Sequence, residues 1–222
     1  MLPLYDENRS SRRPYVTWAL MFLNMIAFLW QFSTGFNAEG FYRYGAIPLF
    51  IVNWQRLHTL FTSMFMHSDL FHIGGNMLYL YIFGDNIEDV FGHIKFLLFY
   101  LVSGVVGGIL HSWFTSITGD LEMMAIPAVG ASGAISGVLG AYLVIYPQAR
   151  IVTLLLLRYV PRVVRIPSFY YLGFWFIMQI LYGLLNPLSG VAFWAHIGGF
   201  TAGVMAGLAF KGRTGRSYAQ YY

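Results

Sequence analysis

Long apolar runs separated by short polar stretches are the dominant pattern along this chain. A helix needs about 20 mostly apolar residues to cross the hydrocarbon core of a bilayer. The pattern predicts six such helices, at residues 15–32, 70–84, 96–115, 132–146, 168–185 and 191–210. We therefore predict an all-α fold, a polytopic membrane protein built as a six-transmembrane-helix bundle.

The same pattern predicts the domain organisation. Residues 1–14 form a polar N-terminal tail, residues 15–211 a single six-span domain, and residues 212–222 a basic C-terminal tail. The first apolar run is long and has no small-residue cleavage site behind it, so we do not expect a removable signal peptide.

The stretches between the spans differ in character. Residues 33–56 contain many glycines and aromatic residues and few charges, so we expect this first loop to lie in the membrane interface. Residues 85–95 are predicted to form a compact charged turn and residues 116–128 a polar loop. Residues 147–167 have four arginines around seven apolar residues, too few to cross a membrane, and are predicted to form an interfacial segment.

The fourth predicted span starts late in its apolar run. About 15 residues run from Ser132 to the end of the run, so the helix begins below the membrane surface. Irregular backbone at that depth is tolerated only where it is buried in protein or lines a water-filled cavity. The pattern therefore indicates a cavity at Ser132.

The composition excludes several other classes of protein. The 222 residues are 58% hydrophobic and 10% charged, whereas soluble domains have about 25% charged residues. The chain has no cysteine, which excludes disulfides and thiolate chemistry. Its net charge of +4 does not indicate a nucleic-acid partner, because the basic residues lie at the ends of the predicted spans.

Positive charge is divided unequally between the two sides of the predicted bundle. Arg43 and Arg56 are the basic residues on one side. The other side has eleven: Arg9, Arg12, Arg13, Lys95, Arg150, Arg158, Arg162, Arg165, Lys211, Arg213 and Arg216. Since cytoplasmic loops have the excess of Lys and Arg, we predict that both termini are cytoplasmic. The protein then lies in the inner (plasma) membrane, and Ser132 opens toward the extracytoplasmic side.

Three glycine-rich stretches bring polar side chains into the predicted spans. They are Gly130-Ala131-Ser132-Gly133, His196-Ile197-Gly198-Gly199 and His72-Ile73-Gly74-Gly75-Asn76. A serine nucleophile needs a base for its proton and hydrogen-bond donors for the oxyanion. We predict Ser132 as the nucleophile and His196 as the base. The candidate oxyanion donors are the Ser132 N–H at a helix N-terminus, His72 and Asn76.

This chemistry requires the fourth and sixth spans to pack closely. Gly133 and Gly137 in one span, and Gly199 and Gly203 in the other, have a four-residue spacing. Small residues at this spacing allow helix backbones to approach. The glycines therefore favour a direct contact between Ser132 and His196.

The sequence does not show which residue orients His196. The carboxylates nearest in the pattern fall at span ends or on the opposite side: Asp69, Asp85, Glu88 and Asp89. We therefore predict a Ser–His dyad rather than a triad. We expect no cofactor and no metal, because His67 and His72 are five residues apart, the wrong spacing for a shared metal face.

These motifs resemble those of the rhomboid intramembrane serine proteases. The resemblance extends from about Arg13 to Gly207 and rests on the three glycine-rich stretches together with Glu88-x-x-x-Gly92. It implies a rhomboid-type six-span bundle of the basic bacterial form, with a first loop that lies in the membrane. It also implies that the protein cleaves transmembrane segments of other membrane proteins near the outer membrane boundary.

The resemblance further implies the role of each site residue. Ser132 is the nucleophile that forms the acyl-enzyme and His196 is its base. His72, Asn76 and the Ser132 amide stabilise the oxyanion, and Gly130, Gly133 and Gly199 support the motifs. Neither a metal nor a nucleotide takes part, and the partners are single-span or polytopic membrane-protein substrates and the lipid bilayer.

Two positions depart from the family pattern. Ser136 stands where some members have an aromatic residue against the base histidine, and Gly75 stands where a bulky gate residue is found. Phe174 and Trp175 in the fifth span are the candidates to supply that bulk.

Two functions other than proteolysis are alternatives for this chain. One is a catalytically inactive rhomboid-like factor that binds membrane-protein clients, although such proteins usually lack the serine or the histidine. The other is a transporter with a polar path, for which inverted repeats with paired broken helices are expected. The sequence has one late-starting span and no repeat.

Overall fold

The structure is a computed structural model that describes residues 1–117, 120–157, 160–186 and 190–211. Most of these residues are helical. In chain order the helices are α1 (Tyr15–Ser33), α2 (Ala38–Tyr44), α3 (Pro48–Val52), α4 (Thr59–Thr62), α5 (Leu70–Phe91), α6 (His93–Ile117), α7 (Leu121–Ala125), α8 (Ser132–Ile145), α9 (Ser168–Leu185) and α10 (Phe193–Lys211). The predicted tail at 212–222 lies outside the described residues.

Several helices of the described chain are long and apolar enough to cross a membrane. They are α1, α6, α9 and α10. Helix α8 is also apolar, but its 14 residues extend only about 21 Å. The chain is therefore a multi-pass membrane protein. Helices α1, α5, α8 and α9 begin where the hydrophobic pattern predicts.

Helix α5 is longer than predicted. The pattern places its end at Gly84 and a charged turn at residues 85–95, but the helix continues to Phe91. Only Gly92, whose φ is +76°, separates it from α6. The carboxylate of Glu88 accepts hydrogen bonds from N–H groups in the first turn of α1, including that of Thr17 (2.7 Å). Glu88 therefore joins α5 to α1. The prediction of a turn is wrong for residues 85–91, which form the last part of α5.

The connections near Ser132 contain short helices. Helices α2 and α3 occupy about half of the predicted first loop. Helix α7 lies in the predicted polar loop, where Asp120 caps it by accepting the N–H groups of Glu122 (2.9 Å) and Met123 (3.2 Å). An acidic N-cap of this kind satisfies donors that a helix leaves free at its start.

The segment predicted to be interfacial forms a β-hairpin. Strands β2 (Arg150–Leu157) and β3 (Val160–Pro167) pair antiparallel, and residues 158–159, with the predicted basic Arg158, lie outside the described residues. Strand β1 (Leu2–Asp6) pairs with the other edge of β2. The all-α prediction is therefore wrong here. The run Ile151-Val152-Thr153 is β-branched and favours strands, which a count of apolar residues does not register.

A buried polar cluster attaches this sheet to the helices. Asp6, at the end of β1, accepts hydrogen bonds from the Tyr142 hydroxyl of α8 (2.5 Å) and from the Asn86 side chain of α5 (3.0 Å). One carboxyl thus joins three elements. Burial raises the pKa of Asp6 to about 7; the Tyr142 hydrogen bond opposes this rise and the neighbouring Asp85 adds to it.

Helices α8 and α10 pack with their backbones in contact. A Cβ placed on Gly199 would collide with the carbonyl oxygen of Gly133, and a Cβ on Gly203 with that of Gly137. This is the close packing of the fourth and sixth spans that the glycine spacing predicts. It leaves α8 in the centre of the bundle, with most of its residues buried.

The first prediction concerns this contact. Gly203→Ala is expected to lower the free energy of unfolding by about 1–3 kcal/mol, the usual cost of overpacking, because its methyl group has no space against Gly137. The measurement is thermal unfolding of the purified protein in detergent. Gly173→Ala in α9 is the matched control, since a Cβ there meets nothing within 4 Å and alanine favours a helix. Equal loss in both variants would contradict the contact.

The second prediction concerns Asp6. Its carboxyl loses its proton near pH 3.8 in the unfolded chain and near pH 7 in the folded protein. Between these values the folded state binds more protons, so raising the pH destabilises it, and above about pH 7 the penalty is constant. The midpoint of thermal unfolding should therefore fall between about pH 4 and 7, and Asp6→Asn should reduce this slope. Asp120→Asn, the control, should keep it; an unchanged slope in Asp6→Asn would assign the pH dependence elsewhere.

Candidate active site

Ser132 is the first residue of α8. The chain reaches it through Gly130, whose φ of +118° is rarely adopted by L side chains and suits glycine. The N–H of Gly130 donates to the carbonyl of Ser63 (2.9 Å), and a short pairing of Ala46 with Ala128 fixes the residues before it. Ser132 therefore lies on an anchored turn, and its own N–H is one of those that a helix leaves free at its N-terminus.

His196 lies in the first turn of α10 and contacts Ser132. Its Nε2 is 2.8 Å from the Ser132 Oγ, within the distance that proton transfer requires. The two residues are brought together because their neighbours Gly133 and Gly199 are in backbone contact. The structure thus places the predicted nucleophile and the predicted base in direct hydrogen-bond contact.

Gln179 is a site residue that the sequence analysis missed. Its Oε1 is 2.8 Å from the Nδ1 of His196, and the side chain is almost completely buried. Gln179 lies in α9, in an otherwise apolar run. A polar side chain inside a transmembrane span costs free energy, so its presence there indicates a function. The position of Gln179 within an apolar span is the sequence feature that points to it.

Two aromatic rings lie beside the His196 imidazole. The Trp175 ring lies 5.9 Å from it between centroids, tilted by 35°, and the Phe193 ring lies 6.3 Å away, edge-on. Ser136, which stands where an aromatic residue is found in some members, donates its hydroxyl proton to the Ser132 carbonyl (2.6 Å). Of the two candidates for bulk in the fifth span, Trp175 contacts His196, whereas Phe174 is half exposed.

His72 and Asn76 converge on the space beside Gly130. They are four residues apart on α5 and so lie on one face. A Cβ added to Gly130 would lie 2.6 Å from the Nε2 of His72 and 3.5 Å from the Nδ2 of Asn76. The Asn76 side chain is buried, and its Nδ2 has no hydrogen-bond partner among the described residues. An unused donor near a nucleophile is what an oxyanion requires.

Ser68 contacts the His72 ring at Nδ1. Both its backbone N–H (3.4 Å) and its hydroxyl oxygen (3.0 Å) lie next to that nitrogen. The other ring nitrogen, Nε2, is the one beside Gly130. His67 packs edge-on against this ring, 5.1 Å between centroids. Burial lowers the pKa of His67 to about 4, so it adds no charge near neutral pH.

These side chains border one large cavity. Its volume is about 1100 Å³, and its lining includes His72, Asn76, Ser132, Trp175 and His196. Small-molecule pockets are typically about 300–1,000 Å³, so the cavity is large for a small ligand. In the described part of the chain, no three His, Cys, Asp or Glu side chains group as metal ligands would.

Most of the chain matches the model of a known protein family. The model of the rhomboid domain matches residues 54–213, which is more than half of the chain. The chain belongs to the rhomboid family. The matched region includes Ser132, His196 and both residues that face Gly130 from α5.

Rhomboids of plants, fungi and bacteria are similar to this chain. RHOMBOID-like protein 1 of Arabidopsis thaliana is 31% identical over 160 residues, 72% of this chain and 36% of that protein. Rhomboid protein 1, mitochondrial, of Saccharomyces cerevisiae is 36% identical over 91 residues, 40% of this chain and 25% of that protein. Rhomboid protease GluP of Bacillus subtilis is 28% identical over 199 residues, 89% of this chain and 35% of that protein. The matches thus span less than half the length of these curated relatives.

The third prediction tests the donors beside Gly130. Asn76→Ala is expected to slow the reaction of Ser132 with a fluorophosphonate by about 10²-fold, because loss of one oxyanion donor costs about 3 kcal/mol of barrier. The measurement is the rate of covalent labelling of the purified rhomboid. Asn24→Ala in α1 is the matched control, since that buried side chain donates to the Leu20 carbonyl of its own helix (2.8 Å). Labelling of both variants at the wild-type rate would show that Asn76 is not a donor.

Proposed function

We propose that this rhomboid is an intramembrane serine endopeptidase that cleaves transmembrane segments of other membrane proteins near the extracytoplasmic membrane boundary. The single observation that supports this most directly is the 2.8 Å contact between the Ser132 Oγ and the His196 Nε2. A serine and a histidine in direct contact beside a large cavity are the parts that acyl transfer needs.

The proposed reaction follows from the position of each group. The Nε2 of His196 takes the hydroxyl proton as the Ser132 Oγ attacks the scissile carbonyl carbon. The carbonyl oxygen becomes an oxyanion and is held by the Ser132 N–H, the His72 Nε2–H and the Asn76 Nδ2–H. The C–N bond then breaks, and the imidazolium gives its proton to the leaving amine. An acyl-enzyme on Ser132 remains.

Hydrolysis of the acyl-enzyme repeats the same steps with water as the nucleophile. His196 takes a proton from the water molecule, whose oxygen attacks the ester carbonyl. The ester C–O bond breaks and the proton returns to the Ser132 Oγ. The large cavity beside Ser132 supplies the space for the water molecule and for the unwound substrate segment. The relative from Bacillus subtilis is named a protease, which supports the same reaction for this chain.

We place six helices across the membrane, adding α5 and α8 to the four that are long and apolar. Both termini are then cytoplasmic, as the positive charges predict. Two exposed arginines of the hairpin, Arg162 and Arg165, lie at the sheet end of the bundle. Arg56 lies at the Ser132 end and donates to the carbonyls of Tyr42 (2.7 Å) and Arg43 (2.7 Å). This distribution supports a site that opens to the extracytoplasmic side.

The first loop is proposed to lie in the membrane interface on the same side as Ser132. Tyr42 in α2 is half exposed, and Trp54, which follows α3, is 81% exposed. Exposed Trp and Tyr side chains are typical of residues at the level of lipid headgroups. Helix α2 also borders the cavity, so the loop is part of the wall that a substrate meets.

The substrate is proposed to enter sideways past α9. Helix α9 lies at the edge of the bundle, with Phe174 and Ile177 more than half exposed, and its Trp175 borders the cavity. A substrate helix must unwind locally before its carbonyl reaches Ser132, so helix-breaking residues near the scissile bond should favour cleavage. The described residues offer no observation that favours a client-binding factor or a transporter over the protease.

The fourth prediction tests the proposed function. The purified protein, reconstituted in vesicles, is expected to cleave a model transmembrane substrate and to be labelled by a fluorophosphonate. Ser132→Ala should lose both properties. His196→Ala should lose cleavage and lower the labelling rate by at least about 10³-fold, because the hydroxyl has no base. Product identification by mass spectrometry locates the cut bond.

Matched controls separate this chemistry from loss of folding. Ser112→Ala in α6 removes a buried hydroxyl that donates to the Gly108 carbonyl (2.8 Å), and His58→Ala removes an exposed imidazole. Both should cleave at the wild-type rate. Cleavage that persists in Ser132→Ala, or a folded wild type that neither cleaves nor is labelled with several substrates, would contradict the proposal.

A further inference from the structure

The Nδ1 of His196 has a partner on a third helix. A serine–histidine pair works only when the Nε2 facing the hydroxyl is unprotonated, which places the proton of the neutral ring on Nδ1. In triads a carboxylate accepts that Nδ1–H and holds the ring in this tautomer. Here the atom in that position is the Oε1 of Gln179, 2.8 Å from Nδ1.

The direction of this hydrogen bond is determined by a second contact of the same amide. The Nε2 of Gln179 donates to the backbone carbonyl of Trp175, one turn earlier in α9 (3.3 Å). A carbonyl oxygen only accepts, so a flipped amide would place two acceptors against each other. Oε1 must therefore face His196, and Nδ1 must be the donor. The lone pair of Nε2 is then left for the hydroxyl proton of Ser132.

Burial makes this arrangement specific. Gln179 is 8% exposed, so an unmade hydrogen bond there would leave a buried polar group unsatisfied. The Trp175 ring packs on His196 from the same helix. One turn of α9 thus supplies both a hydrogen-bond acceptor and an aromatic surface, the two means by which a histidine ring is held.

We propose that Gln179 is a positioning residue that holds His196 in the tautomer required of the base. The proposal rests on the proposed function, since it assigns a role to Gln179 in that reaction. The proposal also makes the orientation of His196 dependent on the position of α9. Ser132 and the oxyanion donors are on α8 and α5, whereas the acceptor for Nδ1 is on α9, so displacing α9 removes that acceptor while leaving the nucleophile in place.

The test combines kinetics with a direct measurement of the ring. Gln179→Met has a side chain of similar length with no amide oxygen, and Gln179→Glu keeps an oxygen acceptor. In the full-length protein in vesicles, Gln179→Met is expected to lower kcat about tenfold with little change in KM, because the interaction acts on the chemical step. Gln179→Glu should restore most of kcat. Tyr170→Ala, exposed near the start of the same helix and outside the cavity lining, should match the wild type.

Nitrogen-15 NMR of the histidine rings reports the tautomer without any need for activity. The His196 signals are assigned by their loss in His196→Ala. In the wild type they should show a protonated Nδ1 and an unprotonated Nε2, and in Gln179→Met a mixture of tautomers. A wild-type ring protonated on Nε2 would overturn the proposal even if Gln179→Met did not fold.

Two further outcomes would also overturn the proposal. One is wild-type kcat with unchanged ring signals in Gln179→Met. The other is equal impairment of Gln179→Met and Gln179→Glu with unchanged ring signals, which would make Gln179 a packing residue. Failure of the proposed function gives a different result, because the wild type would then neither cleave nor be labelled while the ring signals still report the bond to Gln179.

Discussion

The site depends on the contact between the backbones of α8 and α10. Lipid is as apolar as the helices it surrounds, so association inside a membrane relies on close packing more than on burial of apolar surface. Gly199 and Gly203 of α10 lie against the carbonyl oxygens of Gly133 and Gly137 with no room for a Cβ on either. Ser132 precedes the first of these glycines and His196 lies one turn before Gly199. The distance between Oγ and Nε2 is therefore a consequence of backbone packing.

The shortness of α8 is compatible with this packing because both of its ends are fixed. At the N-terminal end, the Gly130 N–H is bonded to Ser63, and the turn leaves space into which side chains of α5 point. At the C-terminal end, the Tyr142 hydroxyl is bonded to Asp6 of the N-terminal strand. The sheet, which no apolar pattern indicated, thus contributes to the candidate site by holding the helix that starts with Ser132. A polar bond to a carboxyl with a raised pKa makes this end sensitive to pH.

Most of the candidate residues could be predicted because they lie in glycine-rich stretches that are unusual inside apolar spans. Polar side chains beside glycines stand out inside an apolar run, so Ser132, His196 and the pair on α5 were all named as candidates, and the structure brings them together. The strands were missed because their apolar residues were counted for length rather than for β-branching. The end of α5 was missed because its acids have distant partners, Glu88 on α1 among them. Gln179 was missed for a similar reason, since its partner is known only when α9 and α10 are seen packed together.

The contact between Gln179 and His196 means that one residue of the candidate site depends on α9 for its orientation, whereas the others do not. The proposed nucleophile and oxyanion donors belong to α8 and α5, and α8 is enclosed by other helices. The proposed base, His196, belongs to α10, but the acceptor for its Nδ1 and its aromatic contact come from α9, which presents large apolar side chains outward. In the proposed protease, a substrate that enters past α9 passes the helix that orients the base. Proton transfer therefore depends on a contact made by a helix at the edge of the bundle, whereas Ser132 is held by the packing of α8 and α10.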